Sequence, residues 1–508
     1  MRMLRITALM LAVVLCLCLF CGCNETAGSE TPSASFDESE SKENVPVSDG
    51  FGLPYVQEKN FDPLTTESAL NVYLTPLIFQ SLYVIGTDMT VTPQLAAESD
   101  LSGAALRITL RGDVVFHNGT VLSAEDVVYS FDRIRNNPNS PYFADIAPIE
   151  NCRADGNGAV VFMLAKTTVD WSNCLTFPIV RRETGKNSDA VGSGAYALRT
   201  ADNIRYLSAV GGDSRPQDLP FSRIDLVPVK DIDDMVKAFE RGRIDCMAVD
   251  VLSVRSFMPV CTYSVQSAPA GIGNILLFNA KHGSLKDAAV RNALSVLLPR
   301  KEICSEALSG AVDASADWIA GGLVQNVSET ERETALQSLL DAGLIAEEGA
   351  EGPVLRLLYC NDLWQRTEQA RQISAWLKEL GIGCELVGKS YDAYTAARQS
   401  GNFDLCLYRR QLRSPSELAQ LVFADGSDNM TGYKNAELEA ELTVLLQASE
   451  DTADEAAAEV SRLLSADVPF ATIGYENIRV YFRDGQIHNF NPVPDSPYGN
   501  PAEWEIYR

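Results

Sequence analysis

The sequence predicts an α/β protein built from two or more packed lobes, and three observations predict it. The chain has 508 residues, more than one hydrophobic core usually organises. Hydrophobic residues make up 46% and charged residues 22%, the balance of buried interiors under a solvated surface. Short apolar runs alternate with helical patterns along the chain, as layered α/β architectures require.

Arg2 and Arg5 precede an almost unbroken apolar run, Ile6 to Phe20. A run this short behind a positive start reads as a secretion signal rather than a membrane span. It ends in Leu19-Phe20-Cys21-Gly22-Cys23, which resembles a bacterial lipobox. Gly22 fits the small position and Cys23 the lipid acceptor, while Phe20 and Cys21 depart from the usual residues. The alternatives are an ordinary signal peptide cut nearby or an uncleaved anchor. Residues 24–50 are rich in Ser, Glu, Thr, Asp and Pro. They hold too little apolar surface to offset the entropy of ordering, so a flexible tether is expected.

Beyond the tether the elements follow in order. Leu106 to Leu110 alternates at period two and reads as a strand. Ser123-Ala124-Glu125-Asp126 reads as a capping box, opening a helix with Val127, Phe131 and Ile134 as its apolar stripe. Asp231 to Arg241 reads as a helix with Met235, Val236 and Phe239 inward and Gly242 as its stop. A strand, Ile244 to Val249, follows. Val354 to Tyr359, Thr367 to Leu380 and Ile382 to Val387 read as strand, helix and strand, a βαβ unit with Ile373 and Trp376 in the core. Glu331 to Leu344 is expected as a helix on the surface of the same lobe.

The formal net charge is -26, a surface that repels phosphate backbones, so no nucleic-acid partner is expected. The three histidines, His117, His282 and His488, lie far apart, and no metal-ligand spacing, nucleophile elbow or phosphate-binding loop is present. No enzyme activity, cofactor or bare metal site is therefore expected. Gly192-Ser193-Gly194 reads as a backbone turn and His117 as structural. The cysteines after the signal, Cys152, Cys174, Cys246, Cys261, Cys304, Cys360, Cys384 and Cys406, contain no Cys-x-x-Cys pair. Most sit in apolar runs, where a buried free thiol is the commoner state, although a disulfide or two stays open.

The segment Val115 to Ser130, VFHNGTVLSAEDVVYS, closely resembles the signature of the family 5 extracellular solute-binding proteins. Other segments resemble that family in the same order: Phe61-Asp62-Pro63-Leu64, Tyr73 to Tyr83, Pro93-Gln94-Leu95-Ala96 and Val191 to Tyr196. Arg241 to Asp245, Leu277-Phe278-Asn279, Val290 to Leu294 and Phe403-Asp404-Leu405 follow. The resemblance implies a two-lobe, venus-flytrap fold of the periplasmic-binding-protein type (type II, cluster C). By the same resemblance, residues 51–71, 190–277 and 480–508 make lobe I, 72–189 an inserted subdomain and 278–479 lobe II. It further implies a lipid-anchored, extracytoplasmic receptor. Such a receptor captures a peptide, metal chelate or acidic sugar and presents it to a membrane permease and its ATPase.

One segment departs from the pattern. Peptide receptors of the family follow the Phe403-Asp404-Leu405 strand with a Trp and then an Asp that holds the peptide ammonium. Here the chain reads Tyr408-Arg409-Arg410-Gln411-Leu412-Arg413-Ser414-Pro415. Arg410 falls at the Trp and Arg413 at the Asp. Either Arg409, Arg410 or Arg413 holds an anionic ligand, or the arginines pair with local acids such as Glu417 and Asp425 or point to solvent. Aromatic candidates for enclosing a ligand are Trp171, Tyr73, Phe278 and Trp364, although for each an aromatic is more often core than ligand contact. Asn279 is a polar candidate at the lobe crossing, with hinge-backbone bonding as the alternative. A transporter-independent signal receptor, chaperone or adhesin on the same fold is the competing function.

Overall fold

The computed structural model describes residues 50–506, apart from 58–60, 88, 166–167, 183–190, 212–217, 251–258, 309–310, 320–325, 346–351, 449, 484–486, 489 and 494–495. The signal sequence, Cys23 and nearly all of the tether lie outside the described residues.

Two strands organise the molecule. Tyr263–Phe278 and Phe470–Arg483 pair antiparallel over most of their length. The first flanks the strand Leu405–Gln411, itself beside the parallel pair Val354–Cys360 and Gly383–Lys389; the second flanks Cys246–Asp250. The helix Trp364–Glu379 links the parallel strands, as the βαβ reading expected. It buries Ala370, Ile373, Trp376 and Leu377 on the sheet.

Along these two strands the core changes sides. Ala270, Ile478, Val480 and Phe482 belong to a core shared with Phe51, Ile108, Phe131 and Tyr196. Ile275, Leu277 and Tyr475 pack with Leu412, Leu418 and Val460, while Leu276 and Phe278 pack with Leu357, Ile373 and Leu405. The interior is thus two bodies joined by a pair of crossing strands, the two-lobe α/β fold. The crossover falls between Ala270 and Ile275 on one strand and between Tyr475 and Ile478 on the other. Boundaries at 277/278 and 479/480 lie a few residues beyond it, inside the same strands.

The crossing itself is irregular. The register slips between Pro269 and Gly273 and again between Asn274 and Ile275. Gly271 sits at φ 63, in the left-handed region, where a side chain is strained. A bulge of this kind bends and twists a strand, which suits a segment that leaves one core for another.

The first lobe contains two further four-stranded sheets among the described residues. One runs Phe51–Val56, Arg223–Val229, Ile204–Ala209 and Tyr196–Ala201; the other runs Ala96–Ser102, Ala105–Leu110, Ala159–Leu164 and Ile149–Ala154. Ala105–Leu110 buries Leu106, Ile108 and Leu110, the alternation that its sequence shows. The helix Ala124–Arg135 starts at Ser123, whose backbone N–H and hydroxyl both donate to the Asp126 carboxylate at 2.9 and 2.7 Å. Val127, Phe131 and Ile134 are buried. His117 Nε2 lies 2.9 Å from the Gly194 carbonyl, tying the signature to the glycine-rich return. A Cβ on Gly192 would stand 2.0 Å from the Ile78 carbonyl oxygen, so this turn is a close backbone approach.

The helix Ile232–Glu240 turns Met235, Ala238 and Phe239 inward; Val236 is only half-buried. The helix Glu329–Asp341 carries a capping box formed by Ser328 and Glu331. The eight described cysteines are free thiols.

Candidate functional site

Strand geometry separates the three arginines. In Leu405–Gln411, Leu405 and Leu407 face one core, and Cys406 and Tyr408 the other. Side chains alternate across a sheet, so Arg409 and Arg410 leave on opposite faces. Arg409 is 44% exposed and grips the buried Glu476 carboxylate with Nε and Nη2 at 2.6–3.0 Å. Arg410 pairs with Asp428 and donates to Gln420 at 3.0 Å. Arg413, past the strand end, lies 3.4 Å from Asp145 and 3.6 Å from Glu417. All three guanidiniums meet carboxylates of the chain itself. Glu417 is one of the two acids the sequence suggests; Asp428, rather than Asp425, is the partner of Arg410.

The Arg409 partner belongs to a buried network that the sequence reading missed. Glu476 also accepts from Arg366 at 3.1 Å and from Asn274 Nδ2 at 3.0 Å. Arg366 donates to Asn274 and, at 3.0 Å, to Gln369. Asn274 and Glu476 sit on the crossing strands, and Arg366 and Gln369 on the first turns of the helix Trp364–Glu379. Burial pushes the Arg366 guanidinium below its ordinary range, and the Glu476 charge partly restores it. A signal for this network exists in the sequence. Asn274 is a polar position in the apolar run from Ile272 to Phe278, and Glu476 an acid among Ile473, Tyr475 and Ile478; such positions need buried partners.

A second polar group joins the lobes away from the crossing strands. The Asp170 carboxylate accepts from the Ser416 backbone N–H at 3.1 Å and its hydroxyl at 2.7 Å. Ser416 lies in the first turn of the helix Pro415–Val422, where amide N–H groups lack intrahelical partners. The Val169 N–H donates to the Leu446 carbonyl at 2.6 Å. With the Arg413–Asp145 pair, these contacts form a seam between residues 145–170 and residues 413–446.

Trp171 stands beside the seam. It is half-buried and meets Tyr83 edge-on, with ring centroids 5.4 Å apart. Tyr73 is half-buried against the first-lobe core. Trp364 opens its helix half-buried, with Nε1 enclosed. Phe278 and Asn279 take the second of the two readings the sequence leaves open. Phe278 is fully buried in the second-lobe core, because it shares a strand face with Leu276. Asn279 is fully buried, donates to the Gly401 and Phe403 carbonyls at 3.0 and 2.7 Å and accepts from the Lys281 N–H. Its amide bonds neighbouring backbone. Among the described residues no cluster of His, Cys, Asp and Glu could hold a metal ion, and no helix is long and apolar enough to cross a membrane.

Comparison with known proteins gives this arrangement a family. The model of the bacterial extracellular solute-binding proteins, family 5 (middle), matches residues 90–432. The chain is 25% identical over 415 residues to the periplasmic murein peptide-binding protein MppA of Escherichia coli, covering 72% of this chain and 76% of that protein. The unliganded open form of the MppA murein tripeptide binding protein superposes with a TM-score of 0.74 at 19% identity, over 92% of this chain and 99% of the other. The ABC transporter substrate binding protein CtaP from Listeria monocytogenes gives 0.71 at 17% identity, over 91% and 100%. With the two-lobe fold, the glycine-rich return and the His117 tie in place, the chain belongs to the family 5 bacterial extracellular solute-binding proteins.

Proposed function

We propose that this chain is the extracytoplasmic, lipid-anchored solute receptor of an ABC importer. It takes up a peptide or related small solute between its lobes and hands it to a permease whose ATPase supplies the energy. The observation that carries the reading is the pair of crossing strands: two separately packed cores share this narrow connection, and polar contacts meet across a seam. A fold of this kind suits reversible capture by closure around a ligand, with no covalent step. The names of the relatives, a murein peptide-binding protein and an ABC transporter substrate binding protein, support a solute of the peptide class.

Within that reading, Trp171 at the seam and Arg409 at the crossing strands are the residues of the sequence-derived set that face the solute. Trp364 and Tyr73 back them. Arg410 is bound to Asp428 within the second lobe and serves as a brace. Cys23 carries the anchor.

The test is native mass spectrometry of the mature protein purified from its host, followed by a thermal-shift screen of peptides, nickel chelates and sugar acids. A ligand that binds only the folded state raises the melting temperature, by about 2.7 kcal/mol of added stability at a hundredfold excess over Kd. Failure of every class to shift melting, with no co-purified solute, removes the receptor reading. Cys23→Ser is expected to release the protein from the membrane fraction; retention there removes the lipid anchor.

A further inference from the structure

The seam between the lobes is acidic. Asp145 and Asp170 reach it from the first lobe and Glu417 from the second. All three lie near enough to the Cys174 thiol to reinforce burial, which together push that thiol up to about 12. Carboxylates brought together from two bodies repel one another, and the repulsion grows as water leaves. Asp170 is accommodated by the first turn of the helix Pro415–Val422, where unpaired amides favour an anion. Asp145 and Glu417 share the guanidinium of Arg413.

That guanidinium is seated by its surroundings. Its side chain is 13% exposed, and those of Asp145 and Glu417 are 22% and 18% exposed. The Arg413 backbone N–H donates to Glu417 Oε2 at 2.5 Å. Its aliphatic stem crosses Gly271 so closely that a Cβ there would lie 2.3 Å from Arg413 Cγ. Gly271 is the left-handed residue of the crossing strand. The stem therefore passes over the connection between lobes and carries its charge into the seam.

We infer that Arg413 is a specificity-determining residue: it is the receptor's own counter-cation, letting the acidic seam close without an ammonium group from the solute. This rests on the receptor reading and sharpens its ligand class. A solute with a blocked or absent amino terminus is accepted as well as one with a free terminus, since the cation's place is filled from within.

Two readouts test it on the full mature chain. In small-angle scattering, Arg413→Met is expected to enlarge the radius of gyration by favouring separated lobes. Arg413→Lys should keep the parent value, and Arg413→Met combined with Asp145→Asn and Glu417→Gln should return toward it. An unchanged radius in Arg413→Met, or no recovery in the triple variant, overturns the inference. Should Arg413→Met fail to fold by circular dichroism, Asp145→Asn with Glu417→Gln decides: retained closure is expected, and opening overturns it.

The second readout is calorimetric binding of two tripeptide pools that differ only in acetylation of the amino terminus. The parent is expected to bind both within about twofold, and Arg413→Met to prefer the free ammonium by about tenfold, or about 1.4 kcal/mol. A parent that demands the free terminus overturns the inference. If neither pool binds any variant, the peptide reading fails, while scattering still decides the role of Arg413.

Discussion

Glu476 is the residue on which most of the crossing depends. Its carboxylate, 3% exposed, is shared by Arg366, Arg409 and Asn274. Removing one partner of a buried ion pair leaves the other charge uncompensated. Glu476→Gln is therefore expected to cost about 3–5 kcal/mol in urea denaturation. A loss below about 1 kcal/mol would mean that Arg366 finds another partner. Asp245 gives a pH prediction. Burial raises its carboxyl above the usual range, although it accepts from the Gly52 N–H at 2.8 Å. A raised acid stabilises the fold while protonated, and that contribution is lost as pH climbs through its folded value. Asp245→Asn keeps the acceptor and drops the charge. Its stability relative to the parent should grow as pH climbs above the ordinary carboxylate range; a gain confined to acid pH would refute the assignment. The thiols supply a third check. Burial pushes Cys304 and Cys406 up to about 12, so neither forms appreciable thiolate near neutrality. Alkylation of the native protein at pH 8 is expected to mark the half-buried Cys261 first and to spare these two.

Among the elements, the signature helix shows what its motif is for. Asp126 is 3% exposed. It receives Ser123 and also the Arg182 N–H at 2.8 Å. The capping box thus fastens a later loop as well as starting the helix. Asp126→Ala removes a buried acceptor that holds three donors and is expected to lower stability by about 1–3 kcal/mol. Ordinary melting of the variant would show the loop to be held otherwise. The arginine-bearing strand shows the limit of reading along a chain. Arg409 and Arg410 are neighbours in sequence, yet the period of two sends them to different carboxylates, Glu476 and Asp428. The same alternation decides Phe278. Of the two readings open for Phe278, ligand enclosure and core, its strand face selects core, since that face is shared with Leu276.

For the whole molecule, the connection between lobes is the element to perturb. Gly271→Ala places a Cβ against the Arg413 stem at a left-handed φ. The substitution is expected to cost about 1–2 kcal/mol from backbone strain alone and to weaken closure further. Lowered solute affinity with little loss of global stability, measured by calorimetry and melting, is the outcome that supports a hinge here. Equal loss of both would mark Gly271 as a folding residue. The two-lobe α/β class, the signature helix, the βαβ unit and the structural role of His117 were all legible in the sequence. The lobes follow from chain length and the family resemblance, the rest from local periodicity, capping chemistry or a motif of short span. The Glu476 network and the Asp145 side of the seam were not legible, although the Arg413–Glu417 pair, four residues apart, was among the readings. Their members lie 67 to 268 positions apart where they cross between elements, and no local pattern encodes such a pairing.

By itself the sequence determined which segments become helix or strand and which family pattern they follow, because backbone preference and side-chain periodicity act over a few residues. Only the tertiary structure decided which carboxylate neutralises each arginine, and that Arg413 reaches across the seam while Phe278 and Asn279 turn inward. Charge pairing and burial are settled by distance in space, and that distance exists only once the two crossing strands have brought the lobes together.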